Sequence, residues 1–338
     1  MEAAVVSRFS ASKRQRLETC LAGALPDRPP VALWRHFPVD DQTPEGLAAA
    51  ALDFQRHYDF DFIKITPTSS FCLRDWGVQD EWRGAPEGTR NYTRRVIHSP
   101  EDWTRLKILD PYTGKLGEQL ACLRLLKSEV GRDQDEAPII QTIFSPLAQA
   151  KNLVGGEQLV VHMRQHPEAV HAGLKIITET TRQFLEAACQ TGIAGVFYAI
   201  QQASYDLLSE QEFKEFGKKY DLEVLEPAKE LWLNLAHLHG KDVMFRQVVD
   251  YPVGIINWHD RETFPSLSEA QSIYSGVLCG GLQREITMVL GNPVQVTAEA
   301  RDAIQATGGK RFILGTGCVL PIIAPRANIL AARCSVEL

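Results

Sequence analysis

Eight short apolar runs punctuate the chain, and chemically able residues gather at the C-terminal end of most of them. The runs are 30–37 (PVALWRHF), 60–67 (FDFIKITP), 138–145 (PIIQTIFS), 195–201 (GVFYAIQ), 233–240 (LNLAHLHG), 253–260 (VGIINWHD), 277–282 (VLCGGL) and 311–318 (RFILGTGC). Between them lie stretches of helical periodicity, such as 44–57 and 167–191. Buried strand alternating with helix predicts a parallel sheet covered by helices. Eight such units predict an α/β chain folded as a (β/α)8 TIM barrel, a single domain over 1–338.

In such a barrel the chemistry sits where strands end and the following loops begin. Those ends read Arg35-His36, Thr66, Ser145, Gln201-Gln202, His237 to His239, His259-Asp260, Gly280-Gly281 and Cys318. His237 and His239 stand two apart on one run, so both imidazoles share a face while Leu238 turns to the helices. Neighbouring neutral imidazoles are metal donors, and zinc needs two or three more ligands to complete its set. Cys318, in a Gly-Thr-Gly-Cys turn after the last run, is of the right type, and His259 is a further candidate. The competing reading makes the pair hydrogen-bonded pocket or core histidines. Arg35 and His36 suit an anionic substrate group, and Gln201 and Gln202 suit orientation of a ligand. Ser145, Tyr198, Trp258 and Gly281 complete the predicted substrate-binding set, Gly281 because a strand glycine admits close approach. Lys64 lies inside the second run, where an ammonium needs a carboxylate or a wet pocket.

The net charge of −6 and dispersed Lys and Arg leave no electrostatic footprint for nucleic acid. No stretch approaches the ~18 uninterrupted apolar residues of a membrane span. The basic N-terminal segment lacks the apolar core of a signal peptide and is expected to form a first helix closing the barrel bottom. Seven cysteines without framework spacing predict reduced thiols and a cytoplasmic location. The one long excursion, 68–137 between the second and third runs, is rich in aromatic and basic residues and turns helical from Ser99. Its first half is expected to wall the barrel mouth, or to serve as the contact of a homodimer.

The stretches 311–325 (RFILGTGCVLPIIAP), 209–216 (SEQEFKEF) and 144–157 (FSPLAQAKNLVGGE), in this order and spacing, resemble the uroporphyrinogen decarboxylase superfamily. The resemblance runs from about Pro30 onward and implies a barrel fold. It implies two kinds of activity. The decarboxylases carry an arginine-rich segment after the first strand, an aspartate closing the second, a tyrosine after the third and a histidine in the last turn. Here the first strand ends Trp34-Arg35-His36-Phe37, and Pro67, Asn152 and Thr316 stand at the other three positions. The corrinoid-dependent methyltransferase branch binds zinc through a His-x-Cys pair and a Cys in a late Gly-Cys turn. His237 and Gly317-Cys318 match that branch, with His239 in place of the first cysteine.

The resemblance therefore implies a zinc-dependent methyl or alkyl transferase acting on a thiol, with His237, His239 and Cys318 as metal ligands and His259 beside them. The methyl donor would be a corrinoid on a separate carrier protein. Two other expectations remain open. One is a metal-free decarboxylase of porphyrin biosynthesis with a tetrapyrrole substrate. The other is a catalytically inactive barrel that binds a tetrapyrrole or a corrinoid protein.

Overall fold

In the computed structural model, which describes residues 11–130 and 136–337, seven of the eight runs form one parallel sheet. Its strands are β1 (Ile63–Ile65), β4 (Ile139–Phe144), β5 (Gly195–Ile200), β6 (Leu235–Leu238), β7 (Ile255–Trp258), β8 (Val277–Leu282) and β9 (Phe312–Thr316), hydrogen-bonded in that order. All their residues are buried, which is why they read as apolar runs and not as alternating ones. β2 (Gln79–Glu81) and β3 (Asn91–Arg94) form a separate antiparallel hairpin.

The first run differs from expectation. Residues 30–37 make no regular strand and pair with β9 through the isolated bridge Val31–Leu314. The Leu314 N–H donates to the Pro30 carbonyl (2.8 Å) and the Ala32 N–H to the Leu314 carbonyl (3.0 Å). On the other side the Asp61 N–H donates to the Val31 carbonyl (2.9 Å). Prolines at 29, 30 and 38 remove donors on both flanks, so the segment fills the gap between β9 and β1 without a full ladder. The sheet is thus a curled TIM-barrel wall of seven strands with an extended closing segment.

The bottom of this wall is held by buried charge. Asp61 is fully buried just before β1 and accepts from Arg16 Nη1 (2.7 Å), Arg28 Nη1 (2.7 Å) and the Val31 N–H (2.7 Å). Arg16 belongs to α1 (Lys13–Leu21), which also meets the start of β9 through Cys20 Sγ and the Phe312 carbonyl. This is the first helix expected from the sequence, although the leading ten residues lie outside the described residues.

α2 (Pro44–Tyr58) starts on a Thr43 cap with proline in its first turn and stops at Asp59, whose φ is 52°. The excursion after β1 holds the β2–β3 hairpin, a helical turn at Pro100–Arg105 capped by Ser99, and α3 (Gly114–Val130), which packs on α2; its last part, 131–135, lies outside the described residues. α4 (Pro146–Val154) follows β4 directly. The pair Gly280-Gly281 admits protein, not ligand. A Cβ at Gly280 would lie 2.4 Å from Asp260 Oδ1, and one at Gly281 would lie 2.6 Å from Ala303 Cβ on the helix Pro293–Thr307. Among the described residues no helix is long and apolar enough to cross a membrane.

Candidate metal centre and active-site cavity

β5, β6 and β7 run in register, so Ala199, His237 and Asn257 lie side by side, and Asn257 pairs onward with Cys279. Two residues beyond His237 and Asn257 come His239 and His259, on the same inward face. Cys318 reaches them from the turn after β9. Gly317 makes that approach possible: a Cβ there would lie 2.6 Å from His259 Cα and 2.7 Å from the Trp258 carbonyl oxygen. The Thr316 hydroxyl donates to the Cys318 carbonyl (2.6 Å) and shapes the turn.

One donor atom from each of His237, His239, His259 and Cys318 lies within 4.8 Å of the others. The Cys318 sulfur is 3.5 Å from His239 Nδ1. Burial pushes the thiol up, but His237 and His239 beside it more than offset that and hold it well below its usual value. Burial holds the His237 imidazole low, whereas the Cys318 sulfur and Glu262 outweigh burial at His259 and raise it. Cys20 and Cys122, buried among apolar atoms, are pushed up to about 12 by burial and are inert packing groups. All seven cysteines are free, as the sequence predicted.

Asn257 fixes the tautomer of His237. Its Nδ2 donates to the Cys279 (2.9 Å) and Thr316 (3.1 Å) carbonyls, which leaves Oδ1 to accept from His237 Nδ1–H at 2.7 Å. The Nε2 lone pair of His237 is then the one presented to the cluster. His259 Nδ1 faces Glu262 Oε2 (3.4 Å), and its Nε2 is buried without a hydrogen-bond partner.

The cluster borders a cavity of about 240 Å3. Besides His237, His239 and Cys318, its wall includes His36, Lys64, Thr66, Lys151, Gln201 and Arg284, with Ser69, Glu87, Thr89 and Tyr92 from the excursion. Pro67 and Asn152 stand in the same wall. The expected mouth wall is therefore present. His36 and Gln201 are brought to the cluster as expected, and Gln202 lines a neighbouring groove that shares His239, Lys151 and Gln201 with the cavity.

The other expected substrate contacts lie elsewhere. Arg35 turns outward over the rings of Phe37 (5.2 Å) and Phe54 (5.1 Å). Ser145 caps α4, its hydroxyl accepting from the Ala148 N–H (3.3 Å). Tyr198 is fully buried on the helix side, its hydroxyl donating to Asp221 (2.7 Å). Trp258 is buried against Phe245 and donates to the Pro265 carbonyl (2.8 Å). Gly281 faces a helix and gives its N–H to the Asp260 carboxylate (3.1 Å). Lys151, Arg284 and the orienting role of Asn257 went unremarked in the sequence. Lys151 and Arg284 sit past the ends of runs, so counting only terminal residues passes them over.

The chain matches the family described as uroporphyrinogen decarboxylase (URO-D) over residues 12–337. Among curated proteins it is 20% identical over 237 residues to the methylcobamide:CoM methyltransferase MtbA of Methanosarcina acetivorans, a match covering 70% of this chain and 68% of the relative. The protein of the same name from Methanosarcina mazei is 21% identical over 238 residues, with the same coverage. Among solved structures, a methyltransferase from Methanosarcina mazei superposes with a TM-score of 0.83 at 17% identity, covering 97% of this chain and 99% of that one. A B12-independent methionine synthase from Shewanella sp. W3-18-1 superposes at 0.60 and 12% identity, covering 94% and 95%. The chain belongs to the uroporphyrinogen decarboxylase family.

Proposed function

We propose that this member of the uroporphyrinogen decarboxylase family is a zinc-dependent methyltransferase that moves a methyl group from a corrinoid-type donor to a thiol acceptor. The observation that carries the reading is the convergence of His237, His239, His259 and Cys318 on one point beside a cavity. Nitrogen and thiolate donors at this spacing fit zinc, and the kinship with methylcobamide:CoM methyltransferases supports the same chemistry.

His237, through Nε2, with His239 and Cys318 would hold the metal. A catalytic zinc keeps one position open, and four protein donors would close it, so His259 is left for another role. When bound, zinc supplies Lewis acidity that keeps an acceptor thiol ionised at neutral pH. His259 Nε2, buried and free, is placed to take the proton the thiol gives up, with Glu262 behind Nδ1 to stabilise the charge. The acceptor sulfur then forms its bond to the methyl carbon as the donor's bond to that carbon breaks. The carrier of the donor would dock over the mouth walled by residues 69–92. A decarboxylase would need acid–base groups where Pro67 and Asn152 stand in the wall, which disfavours that alternative.

Metal analysis of wild type and Cys318→Ala, paired with methyl transfer from methylcobalamin to small thiols, tests the proposal. Wild type should carry about one zinc per chain, and Cys318→Ala should lose most of it together with transfer. Metal-free wild type that releases CO2 from uroporphyrinogen would overturn the reading.

A further inference from the structure

The cavity beside the cluster holds more positive charge than its walls neutralise. Lys64 on β1 is 8% exposed and projects into it. Its ammonium donates to Thr66 Oγ1 (3.2 Å) and sits 4.4 Å from the Phe197 ring centroid, with no carboxylate partner among the described residues. Lys151 on α4 donates to the amide oxygen Gln201 Oε1 (3.0 Å) and likewise has no carboxylate partner among them. Arg284 is different, because Glu87 pairs with it in the same wall. His36 adds a buried Nδ1 without a hydrogen-bond partner.

An ammonium taken out of water without a carboxylate partner is costly, and a fold that keeps one buried, Lys64, beside a second that is partly exposed, Lys151, leaves room for anions to neutralise them. The face of Phe197 below Lys64 favours the charged amine over the neutral one. That ring also stacks on His237 with centroids 5.2 Å apart. Lys64 Nζ therefore lies within about 10 Å of the His237 ring, the limit set by the two centroid distances. A sulfur at the cluster and an anionic group at Lys64 can belong to one small molecule.

We propose that the ligand of this cavity carries two anionic groups, one seated on Lys64 and one on Lys151, so that the acceptor class is short mercapto-dicarboxylic acids. The thiol part of this assignment rests on the methyltransferase reading. The two-anion part does not, since it follows from two lysines without carboxylate partners among the described residues, with only the Cys318 sulfur acting on Lys64 as an opposite charge. Burial pulls Lys64 down to about 7 and Lys151 down to about 8, and each bound carboxylate would restore its ammonium.

The test uses the purified protein and probes with and without sulfur. Calorimetric titration should show glutarate binding at least tenfold tighter than butyrate, and mercaptosuccinate tighter than 3-mercaptopropionate. Lys64→Met and Lys151→Met should each bring glutarate down to the level of butyrate. Lys64→Met should also raise the Tm of the unliganded protein, because it removes an unmatched buried charge. If Lys64→Met does not fold, Lys64→Gln replaces it in the titration. Equal affinity for glutarate and butyrate, or lysine variants that bind glutarate like wild type, would overturn the proposal. Glutarate binding without methyl transfer would fault the proposed function and leave this inference standing. Methyl transfer to uncharged thiols with no preference for dicarboxylates would do the reverse.

Discussion

Replacing Asn257 should uncouple metal binding from the rest of the barrel, because one amide serves both. The residue is fully buried and makes three hydrogen bonds of 2.7, 2.9 and 3.1 Å. Asn257→Ala deprives the His237 Nδ1–H and the Cys279 and Thr316 carbonyls of that partner. Each of these three buried groups so stripped costs ~1–3 kcal/mol, so the variant should lose on the order of 3–9 kcal/mol of stability. Released from Asn257, His237 is free to turn or change tautomer. Loss of such an orienting partner typically weakens metal affinity about 10–100-fold. Asn257→Asp separates the two effects, since a carboxylate still accepts from Nδ1–H but cannot donate to the carbonyls. Urea unfolding of chelated protein reads the stability, and competition with a coloured chelator reads the zinc. Asn257→Asp should unfold early yet hold zinc at least as well as wild type, while Asn257→Ala should fail in both. Equal zinc affinity in Asn257→Ala and Asn257→Asp would refute the tautomer argument.

Asp221 gives a pH signature remote from the cavity. It is fully buried, and burial raises its carboxyl to about 7 although Tyr198 and Tyr251 donate to it. With its folded value raised, the native state binds the extra proton between about pH 4 and 7, so stability is greatest below that window and falls as pH rises through it, by at most about 1.4 kcal/mol per pH unit. Asp260, raised to about 7 chiefly by burial, contributes in the same direction. Asp221→Asn should remove part of that slope in urea titrations run from pH 4 to 8, and an unchanged slope would exclude it as a source. Arg35→Ala should cost about 1 kcal/mol through lost ring contacts yet leave ligand titrations in the cavity unchanged. Weakened binding in that variant would mean that Arg35 turns inward.

The barrel was legible because strands buried on both faces are written as unbroken apolar runs, and seven of them became strands of one sheet. The closing segment 30–37 looks the same in composition, but pairing depends on backbone donors, and its prolines restrict the ladder to the single isolated bridge Val31–Leu314. The β2–β3 hairpin left no such trace. Its segments, QDE and NYTR, are polar and largely exposed, and the cavity wall they help build is held by ion pairs such as Arg74–Asp80 (2.7 Å).

At the site, the alternation of side chains that put His237 and His239 on one face decides the other runs as well. Phe197, Ala199 and Gln201 line the cavity, so Tyr198 between them has to face the helices, where Asp221 takes its hydroxyl. Trp34 and His36 line it, and Arg35 is turned out onto Phe37 and Phe54. Asn257 and His259 face inward, and Trp258 is left to pack on Phe245. Each outward residue stands next to an inward one in sequence, and adjacency in a strand places two side chains on opposite faces. The same rule puts Lys64 and Thr66 inside, a step away from Ile65 in the core. Lys64 is thus an inward ammonium with no carboxylate opposite it among the described residues, and the anion proposed above would supply that charge.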